Sequence, residues 1–358
     1  LDDPNRLIRG VLLNNITKGF YEKLKPVLLQ ELYGIREDLH LCGCFPKTEN
    51  IRVGSRHLGL MLPGEVTDVK EKIRESRELL ESSCDMTQIL SVMESAAAPE
   101  ESAAKENRNA ASDFAVVETL SQTQNGPVLA VARDDAFCFY YRENLALFEQ
   151  NGITIQYFSP ITDPCIPTQA DGLLLGGGYP EQHLQALQDN VSMRKSIKEQ
   201  IEKGMPALAE CGGFMYLHHT VFDKEGNPFE MAGVIEGSCH FAGRPVRFGY
   251  LQIAGTNDHK AEVSKQENSA GSGMTDSAMR LVSAMTGLKG HEFHYFDSTC
   301  NGDALLAEKP DQSRQWPCMV THNSGIFGFP HLYYPSNPGF VTAFAHEMRL
   351  FHRGKGEK

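Results

Sequence analysis

The sequence lacks the features of several protein classes. Its 358 residues contain no apolar run long enough to cross a membrane and no N-terminal secretory signal. Acidic residues outnumber basic ones, and the formal charge of −12 argues against a general nucleic-acid-binding surface. The nine cysteines have no paired spacing, which is typical of reduced intracellular thiols and predicts a cytoplasmic protein. The chain does not begin with methionine, so we expect a fragment or a processed product.

The length is sufficient for two domains. Residues 96–125 are rich in Ala, Glu, Ser and Asn and have no sustained apolar periodicity, which predicts an interdomain linker. The predicted domains are therefore residues 1–95 and 126–358. A second polar stretch, about residues 256–277, is expected to be a surface loop of the second domain.

Alternating apolar segments and helical patterns occur on both sides of the linker. A buried strand at 10–15, a helix at 20–32 and a second strand at 39–46 suggest half of a parallel βαβ sheet. After the linker, strands at 128–132 and 172–175 are among several that alternate with helical patterns. This order predicts a parallel sheet with helices on both faces and ligand sites at the carboxyl ends of its strands.

The most informative motif is a strand, a sharp turn and a helix around Cys211. A short apolar run ends at this cysteine, and Gly212 and Gly213 follow before a helical pattern begins. A turn of this kind presents its side chain outward, and the glycines remove Cβ atoms that would clash. We expect an exposed thiol near the N-terminus of the helix, where the positive end of the helix dipole favours the thiolate form. The motif predicts a cysteine nucleophile.

Other residues could complete such a site. Gly176, Gly177 and Gly178 follow a predicted strand, so their N–H groups could converge on an oxyanion, although three glycines also suit a plain tight turn. Thirteen histidines are candidate bases, and sequence alone does not choose among them. His331 lies between a turn and an apolar run, which suits an active-site histidine. The His-Glu-x-His at 291–294 has the wrong spacing for the helical zinc motif, so we predict no metal ligands.

Three basic residues are candidate substrate contacts. Arg56 and His57 are predicted to lie in a short exposed loop. There Arg56 could bind a substrate carboxylate or could simply be solvated. Arg133 follows a predicted strand, where a contact with substrate and a structural ion pair with Asp134 are equally open.

Together the motifs resemble the cobyrinate a,c-diamide synthase family. In order and approximate spacing they span residue 10 to about residue 338, and they comprise residues 56–60, 131–134, 139–144, 176–181, 209–213 and 290–295. The resemblance implies an α/β fold in which a partial P-loop domain of the dethiobiotin-synthetase type, truncated at its N-terminus, forms residues 1–95. A class I glutamine amidotransferase-like domain with a mostly parallel sheet then forms residues 126–358.

The resemblance also implies the chemistry. Cys211 would attack the side-chain amide of glutamine, His331 would raise its nucleophilicity, and Gly212 with Gly177 or Gly178 would form the oxyanion hole. The ammonia would reach an acyl phosphate made from ATP, with Mg²⁺, on the a and c acetate groups of cobyrinate. The expected partners are a tetrapyrrole and glutamine, with no nucleic acid and no membrane. A homodimer is compatible with this scheme.

The sequence departs from the family in three places. No Gly-x-x-x-x-Gly-Lys-Ser/Thr loop occurs, and its usual place would lie upstream of residue 1. Tyr333 stands where many relatives have a histidine, and the polar stretch at 256–277 has no counterpart. Two alternatives remain open, namely the same reaction on hydrogenobyrinate or a nickel sirohydrochlorin, and a non-catalytic fragment that does not bind ATP. A general α/β cysteine hydrolase is disfavoured because it would not contain the segments 56–60 and 290–295.

Overall fold

The computed structural model describes residues 8–53, 66–95, 126–255 and 274–356. The chain divides into two compact units, residues 1–116 and 117–358. The predicted linker, together with Arg56 and His57, lies outside the described residues.

The first unit contains a parallel strand pair connected by a helix. Strand β1 (Gly10–Ile16) pairs with β2 (His40–Pro46), and α1 (Lys18–Ile35) lies between them in the chain. Helices α2 (Val69–Ser83) and α3 (Met86–Glu94) follow. The predicted βαβ arrangement is therefore confirmed. The prediction of a buried first strand is wrong, because the residues of β1 are exposed or only partly buried, with β2 as their neighbour among the described strands.

The second unit has many short strands and fewer helices. Its described strands, in chain order, are β3 (Val128–Ala132), β4 (Phe137–Phe139), β5 (Thr154–Phe158), β6 (Ala170–Leu175), β7 (Gly177–Gly178), β8 (Ala207–Glu210), β9 (His218–Phe222), β10 (Pro228–Glu230), β11 (Ile235–Phe241), β12 (Phe248–Ala254), β13 (Lys289–Phe293), β14 (Phe296–Ser298), β15 (Leu305–Glu308), β16 (Gln315–Cys318), β17 (Val320–His322), β18 (Gly325–Gly328) and β19 (His331–Tyr333). Its described helices are α4 (Arg142–Gln150), α5 (Leu184–Asp189), α6 (Val191–Glu202), α7 (Gly212–Leu217), α8 (Asp276–Met285) and α9 (Gly339–Gly356).

The central sheet has the strand order β17-β18-β8-β6-β3-β5 and is parallel except for β17. Successive side chains of each strand point to opposite faces of the sheet, so they contribute alternately to two hydrophobic cores. Leu173 and Leu175 pack with residues of α6 and α7, whereas Leu174 packs with residues of α8 and α9. The predicted α/β fold, with a mostly parallel sheet and helices on both faces, is confirmed.

Two further sheets pack in the same unit. One is antiparallel with the order β16-β15-β12-β13-β19, and the other has the order β10-β9-β11-β14. Strand β19 thus lies beside β13, and its first residue, His331, is directly opposite His291. A small pair of strands, β4 and β7, places Phe137 and Phe139 beside Gly178 and Gly177.

The parallel pairing brings several predicted site segments to one edge of the central sheet. Cys211 follows β8, Gly176 follows β6, and Phe329 follows β18, so all three lie where neighbouring parallel strands end. Arg133 follows β3 at the same edge. The sequence predicted this common edge correctly.

Two remaining observations concern the predicted loop at residues 256–277 and the apolar character of the described helices. Residues 256–273 of the predicted loop lie outside the described residues. Its last residues do not form a loop, because Thr275 accepts a hydrogen bond from the N–H of Ala278 and caps α8, which begins at Asp276. None of the described helices combines the length and apolar character needed to cross a membrane.

The last helix is attached to the central sheet by a buried carboxylate. Asp171 of β6 is 1% exposed, and it accepts hydrogen bonds from the N–H of Val128 (3.0 Å), from Lys355 Nζ (3.0 Å) and from His352 Nδ1 (2.9 Å). Lys355 and His352 both belong to α9. A buried carboxylate needs such partners, since its desolvation would otherwise be costly.

We expect Asp171→Ala to lower the free energy of unfolding of the second unit by about 3 kcal/mol, because it removes three hydrogen bonds to a buried group. Urea unfolding followed by the fluorescence of Trp316, the single tryptophan, measures this change. The matched control is Glu199→Ala, which removes an exposed carboxylate 4.0 Å from Lys203 and should cost less than about 1 kcal/mol. Equal effects of the two variants would contradict this account.

Candidate active site

Cys211 occupies a strained turn between β8 and α7. Its backbone angles are φ 47° and ψ −103°, in a region that non-glycine residues rarely adopt. Its N–H donates to the carbonyl of Gly328 (2.9 Å), and its own carbonyl accepts from the N–H of Met215 (2.9 Å). The predicted strand–turn–helix geometry is confirmed. Strain at such a position is a common feature of functional residues.

The two glycines after Cys211 are required by close packing. A Cβ at Gly213 would overlap the carbonyl of Leu175, and the Gly213 N–H donates to the carbonyl of Gly176 (2.9 Å). A Cβ at Gly212 would lie 2.8 Å from Cδ of Pro180 and 3.2 Å from the nitrogen of Gly178. The turn therefore lies directly against the segment that contains the three glycines.

The predicted exposure and charge of the Cys211 thiol are wrong. The residue is only 8% exposed. Burial, followed by the negative charges of Glu181 and Glu292, raises the pKa of the thiol well above its usual range, and the hydrogen bond from the Gly212 N–H offsets this only in part. Helix α7 has six residues, so its dipole does not overcome the loss of water around the sulfur. The resting form is the neutral thiol.

His331 lies on the other side of the same glycine segment. A Cβ at Gly177 would overlap Cε1 of the His331 ring. The ring of Phe139 meets it edge-on with centroids 4.8 Å apart, and the ring of His291 stacks on it at 4.9 Å and 17°. Within the described part of the chain, the buried Nδ1 atom of His331 has no hydrogen-bond partner. Packing therefore orients this ring.

The imidazole of His331 is uncharged at neutral pH. The residue is 6% exposed, and burial lowers its pKa to about 3, with smaller contributions from His291 and His294. The structure thus places the His331 ring against Gly177 and the turn that contains Cys211 against Gly178, and burial favours the uncharged form of both side chains. A neutral imidazole has a free lone pair that can accept the thiol proton when the reaction begins.

The residue before the cysteine, Glu210, is a component of the site that sequence reasoning missed. Its carboxyl group is buried and accepts hydrogen bonds from Tyr334 Oη (2.7 Å) and from the N–H of Leu332 (3.4 Å). Burial raises the pKa of Glu210 to about 8. The carboxyl group thus connects the strand before Cys211 to Leu332 and Tyr334, which follow His331 in the chain. Its place beside the cysteine was the only signal in the sequence.

A second carboxyl group lies near the sulfur. Glu181 belongs to the short 3₁₀ turn Pro180–Gln182, which packs on α7 through Pro180 and Gly212. Burial raises the pKa of Glu181 to about 7, and its charge is the largest single electrostatic influence on Cys211. A tyrosine also supports the glycine segment, because Tyr140 Oη accepts from the N–H of Gly176 (2.9 Å) and donates to the carbonyl of Ala132.

The described residues include one of the three predicted substrate contacts. Arg133 is exposed, and its guanidinium lies over the ring of Tyr157, 4.7 Å from the centroid. Asp134 is engaged elsewhere, since it accepts hydrogen bonds from the N–H groups of Ala136 (2.9 Å) and Ile161 (2.9 Å). A role of Arg133 in substrate binding stays a prediction, as does that of Arg56 and His57.

The residues described in the first unit do not form a recognisable nucleotide site. The sequence contains no Gly-x-x-x-x-Gly-Lys-Ser/Thr loop, and the connection from β1 to α1 consists of Thr17 alone. A cavity of about 710 Å³ in this unit is lined by α1, β2 and the segment around Cys84. That lining lacks a glycine-rich turn of successive N–H groups, so ATP and Mg²⁺ have no assigned ligands among the described residues.

Known proteins resemble this chain over most of its length. Residues 128–327 match the model of the CobB/CobQ-like glutamine amidotransferase domain. The cobyrinate a,c-diamide synthase of Caldanaerobacter subterraneus is 30% identical over 91% of this chain and 64% of its own length. That of Clostridium tetani is 31% identical over 94% of this chain and 67% of its own length. The chain thus spans about two thirds of the length of these relatives.

A solved structure shows a weaker likeness. The crystal structure of a glutamine amidotransferase is 13% identical, with a TM-score of 0.40, and the match covers 62% of this chain and 98% of that one.

The raised pKa of Glu210 leads to a prediction for stability. A carboxyl whose pKa is about 8 in the fold and near 4.5 when unfolded contributes stability that is full below pH 4.5. That contribution is lost as the pH rises through about 8. Glu210→Gln keeps the shape of the side chain and an acceptor for Tyr334 but cannot ionise. Between pH 5 and pH 8, urea unfolding followed by Trp316 fluorescence should show a smaller loss of stability in Glu210→Gln than in the unaltered chain. Parallel pH profiles of the two proteins would contradict the assignment.

Proposed function

Since the chain belongs to the family of CobB/CobQ-like glutamine amidotransferases that includes the cobyrinate a,c-diamide synthases, we propose that its second unit releases ammonia from glutamine at Cys211. The observation that carries the proposal is the positive φ of Cys211 in its strand–helix turn, which packs against Gly178 while the His331 ring packs against Gly177. This arrangement provides a nucleophile and a proton acceptor around a short stretch of backbone N–H groups.

The reaction has two halves. The Cys211 sulfur attacks the side-chain carbonyl carbon of glutamine while its proton passes to His331. His331 then gives this proton to the departing nitrogen, which leaves as ammonia, and a glutamyl thioester remains on Cys211. In the second half, water attacks the thioester, His331 takes a proton from the water, and the sulfur leaves with a proton as glutamate is released.

The negative oxygen that develops in both halves needs hydrogen-bond donors. The N–H groups of Gly212 and of Gly178 or Gly177 are the candidates for this oxyanion hole. The closeness of the Gly178 nitrogen to Gly212 supports the pairing, and so does the N–H of Gly212 at the sulfur. Preorganised backbone donors in a site from which water is excluded stabilise such a charge strongly.

We further propose that the ammonia serves the amidation of the a and c acetate carboxylates of cobyrinate in cobalamin biosynthesis. The names of the relatives support this substrate. A carboxylate is a poor electrophile, and ATP with Mg²⁺ would supply the activation as an acyl phosphate. The residues described in the first unit do not include the loop that would bind the phosphates. Arg56, His57 and Arg133 are the proposed contacts for substrate carboxylates.

Removal of either member of the pair should abolish ammonia release. We expect Cys211→Ser and His331→Asn each to lower kcat for glutamine hydrolysis by about a thousandfold or more, because nucleophile and base act as a unit. A coupled ammonia assay measures the rates. The control is Cys165→Ser, which alters an exposed cysteine outside the site and should retain full activity. Normal turnover by Cys211→Ser would remove the nucleophile assignment.

The glycine beside His331 provides a steric test. In Gly177→Ala the new methyl group overlaps the imidazole and must displace it, so glutamine hydrolysis should fall by about a hundredfold. The matched control is Gly354→Ala in α9, where a Cβ meets no atom within 4 Å and activity should be unchanged. Activity in Gly177→Ala equal to that of Gly354→Ala would show that the position of the His331 ring does not matter.

A further inference from the structure

Among the described residues, no polar group binds Nδ1 of His331 to orient the ring as a base. In many nucleophile–base pairs a third group binds the far nitrogen of the base and fixes the ring. Here the Nδ1 atom of His331 is buried and unpaired among the described residues. Two buried carboxyl groups of the site have other partners, because Glu210 accepts from Tyr334 and Leu332, and Glu292 accepts from Trp316 Nε1 (3.0 Å).

A second imidazole covers the ring instead. His291 on β13 is directly opposite His331 on β19, so the two side chains lie on the same face of the antiparallel sheet. Their rings are nearly parallel, at 17°, with centroids 4.9 Å apart. Phe139 contacts both rings edge-on, at 4.8 Å from His331 and 6.0 Å from His291. The three rings form one packed cluster.

The orientation of His291 is itself fixed. Its Nδ1 atom is hydrogen-bonded to Tyr141 Oη at 3.2 Å. The register of β12 places Tyr250 opposite His291 on its other side. The hydrogen bond and the neighbouring residues therefore restrict the orientation of the His291 ring. A ring of fixed orientation can in turn restrict the His331 ring that stacks on it.

We propose that His291 is a positioning residue that fixes the plane of the His331 ring by stacking, in place of a carboxylate partner. The proposal rests on the proposed role of His331 as the base of glutamine hydrolysis. With the ring fixed, its free lone pair accepts the thiol proton without a search over ring orientations, and such preorganisation favours proton transfer. Tyr141 contributes indirectly, because its hydrogen bond to His291 fixes the ring that stacks on His331.

The same contact bears on the charge of the base. The titratable groups that face His291 are His331 from β19, Tyr250 from β12, Tyr141 from the segment before α4, and its own neighbour Glu292. Two stacked imidazoles disfavour each other's protonation, and His291 contributes to the lowered pKa of His331. Removal of His291 should therefore raise the pKa of His331, and the acid limb of the pH–rate profile should move to higher pH.

The test compares His291→Ala and His291→Phe in the 358-residue chain. Phenylalanine keeps a flat ring on His331, whereas alanine leaves a gap. Two readouts are used. One is kcat and KM for glutamine hydrolysis as a function of pH, and the other is the rate at which iodoacetamide alkylates Cys211, followed by peptide mass spectrometry. The exposed Cys165 is the internal reference for the reactivity of the reagent, and the buried Cys239, which should stay protected, is the internal reference for folding. The control variant is Phe248→Ala, an exposed aromatic that packs on Phe293.

We expect His291→Ala to lower kcat and the alkylation rate of Cys211 by about tenfold to a hundredfold at pH 7, with little change in KM and an acid limb at higher pH. His291→Phe should remain within about threefold of the unaltered chain at its pH optimum, and Phe248→Ala should equal it. In all variants the alkylation rate of Cys165 should be unchanged.

Different results separate the two proposals. If ammonia release requires Cys211 and His331 but His291→Ala leaves kcat, pH profile and Cys211 alkylation unaltered, His291 is not a positioning residue. If His291→Phe and His291→Ala lose activity equally, stacking is not its contribution and the proposal is wrong. If the unaltered chain releases no ammonia yet Cys211 alkylation depends on both histidines, the positioning role stands and the proposed function fails.

Discussion

The site depends on the pairing of β8 between two parallel neighbours, β6 and β18. This pairing ends three strands at one edge and places Cys211, the three glycines and the segment before His331 within contact of one another. Backbone hydrogen bonds from Cys211 to Gly328 and from Gly213 to Gly176 fix their spacing. At these distances no Cβ fits at Gly213, and Cys211 itself has a positive φ of 47°. The proposed chemistry depends on this edge of the sheet, because it brings the nucleophile, the glycine segment and the segment before His331 together.

Burial of the site determines the protonation states of its residues. Because water is excluded from both Cys211 and His331, the uncharged forms dominate before substrate arrives. A neutral pair that packs against one backbone segment is well suited to a reaction in which the charge appears only on a developing oxyanion. The same burial leaves Glu210 uncharged at neutral pH, so that no full negative charge from it opposes the attack.

Much of this architecture could be predicted from the sequence, because apolar strands, helical patterns and glycine turns are local signals. The strands that lead to Cys211 and Gly176 were placed correctly, and the motifs identified the family, which the relatives confirm. Burial of the cysteine could not be predicted, because it depends on side chains that come together only in the fold. For the same reason the stack of His291 on His331 was not foreseen, since strand register between β13 and β19 is not encoded locally.

In the proposed reaction, the sulfur of Cys211 receives the acyl group of glutamine, and the rest of the mechanism depends on this step. The most direct measurement is labelling of the chain with a diazo-ketone analogue of glutamine, which alkylates the cysteine that attacks the amide carbonyl, followed by peptide mass spectrometry. We expect a single adduct on the peptide that contains Cys211, and ammonia release should fall in parallel with its formation. Excess glutamine should prevent the labelling. An adduct on another of the nine cysteines with ammonia release abolished, or full ammonia release from a chain labelled at Cys211, would contradict it.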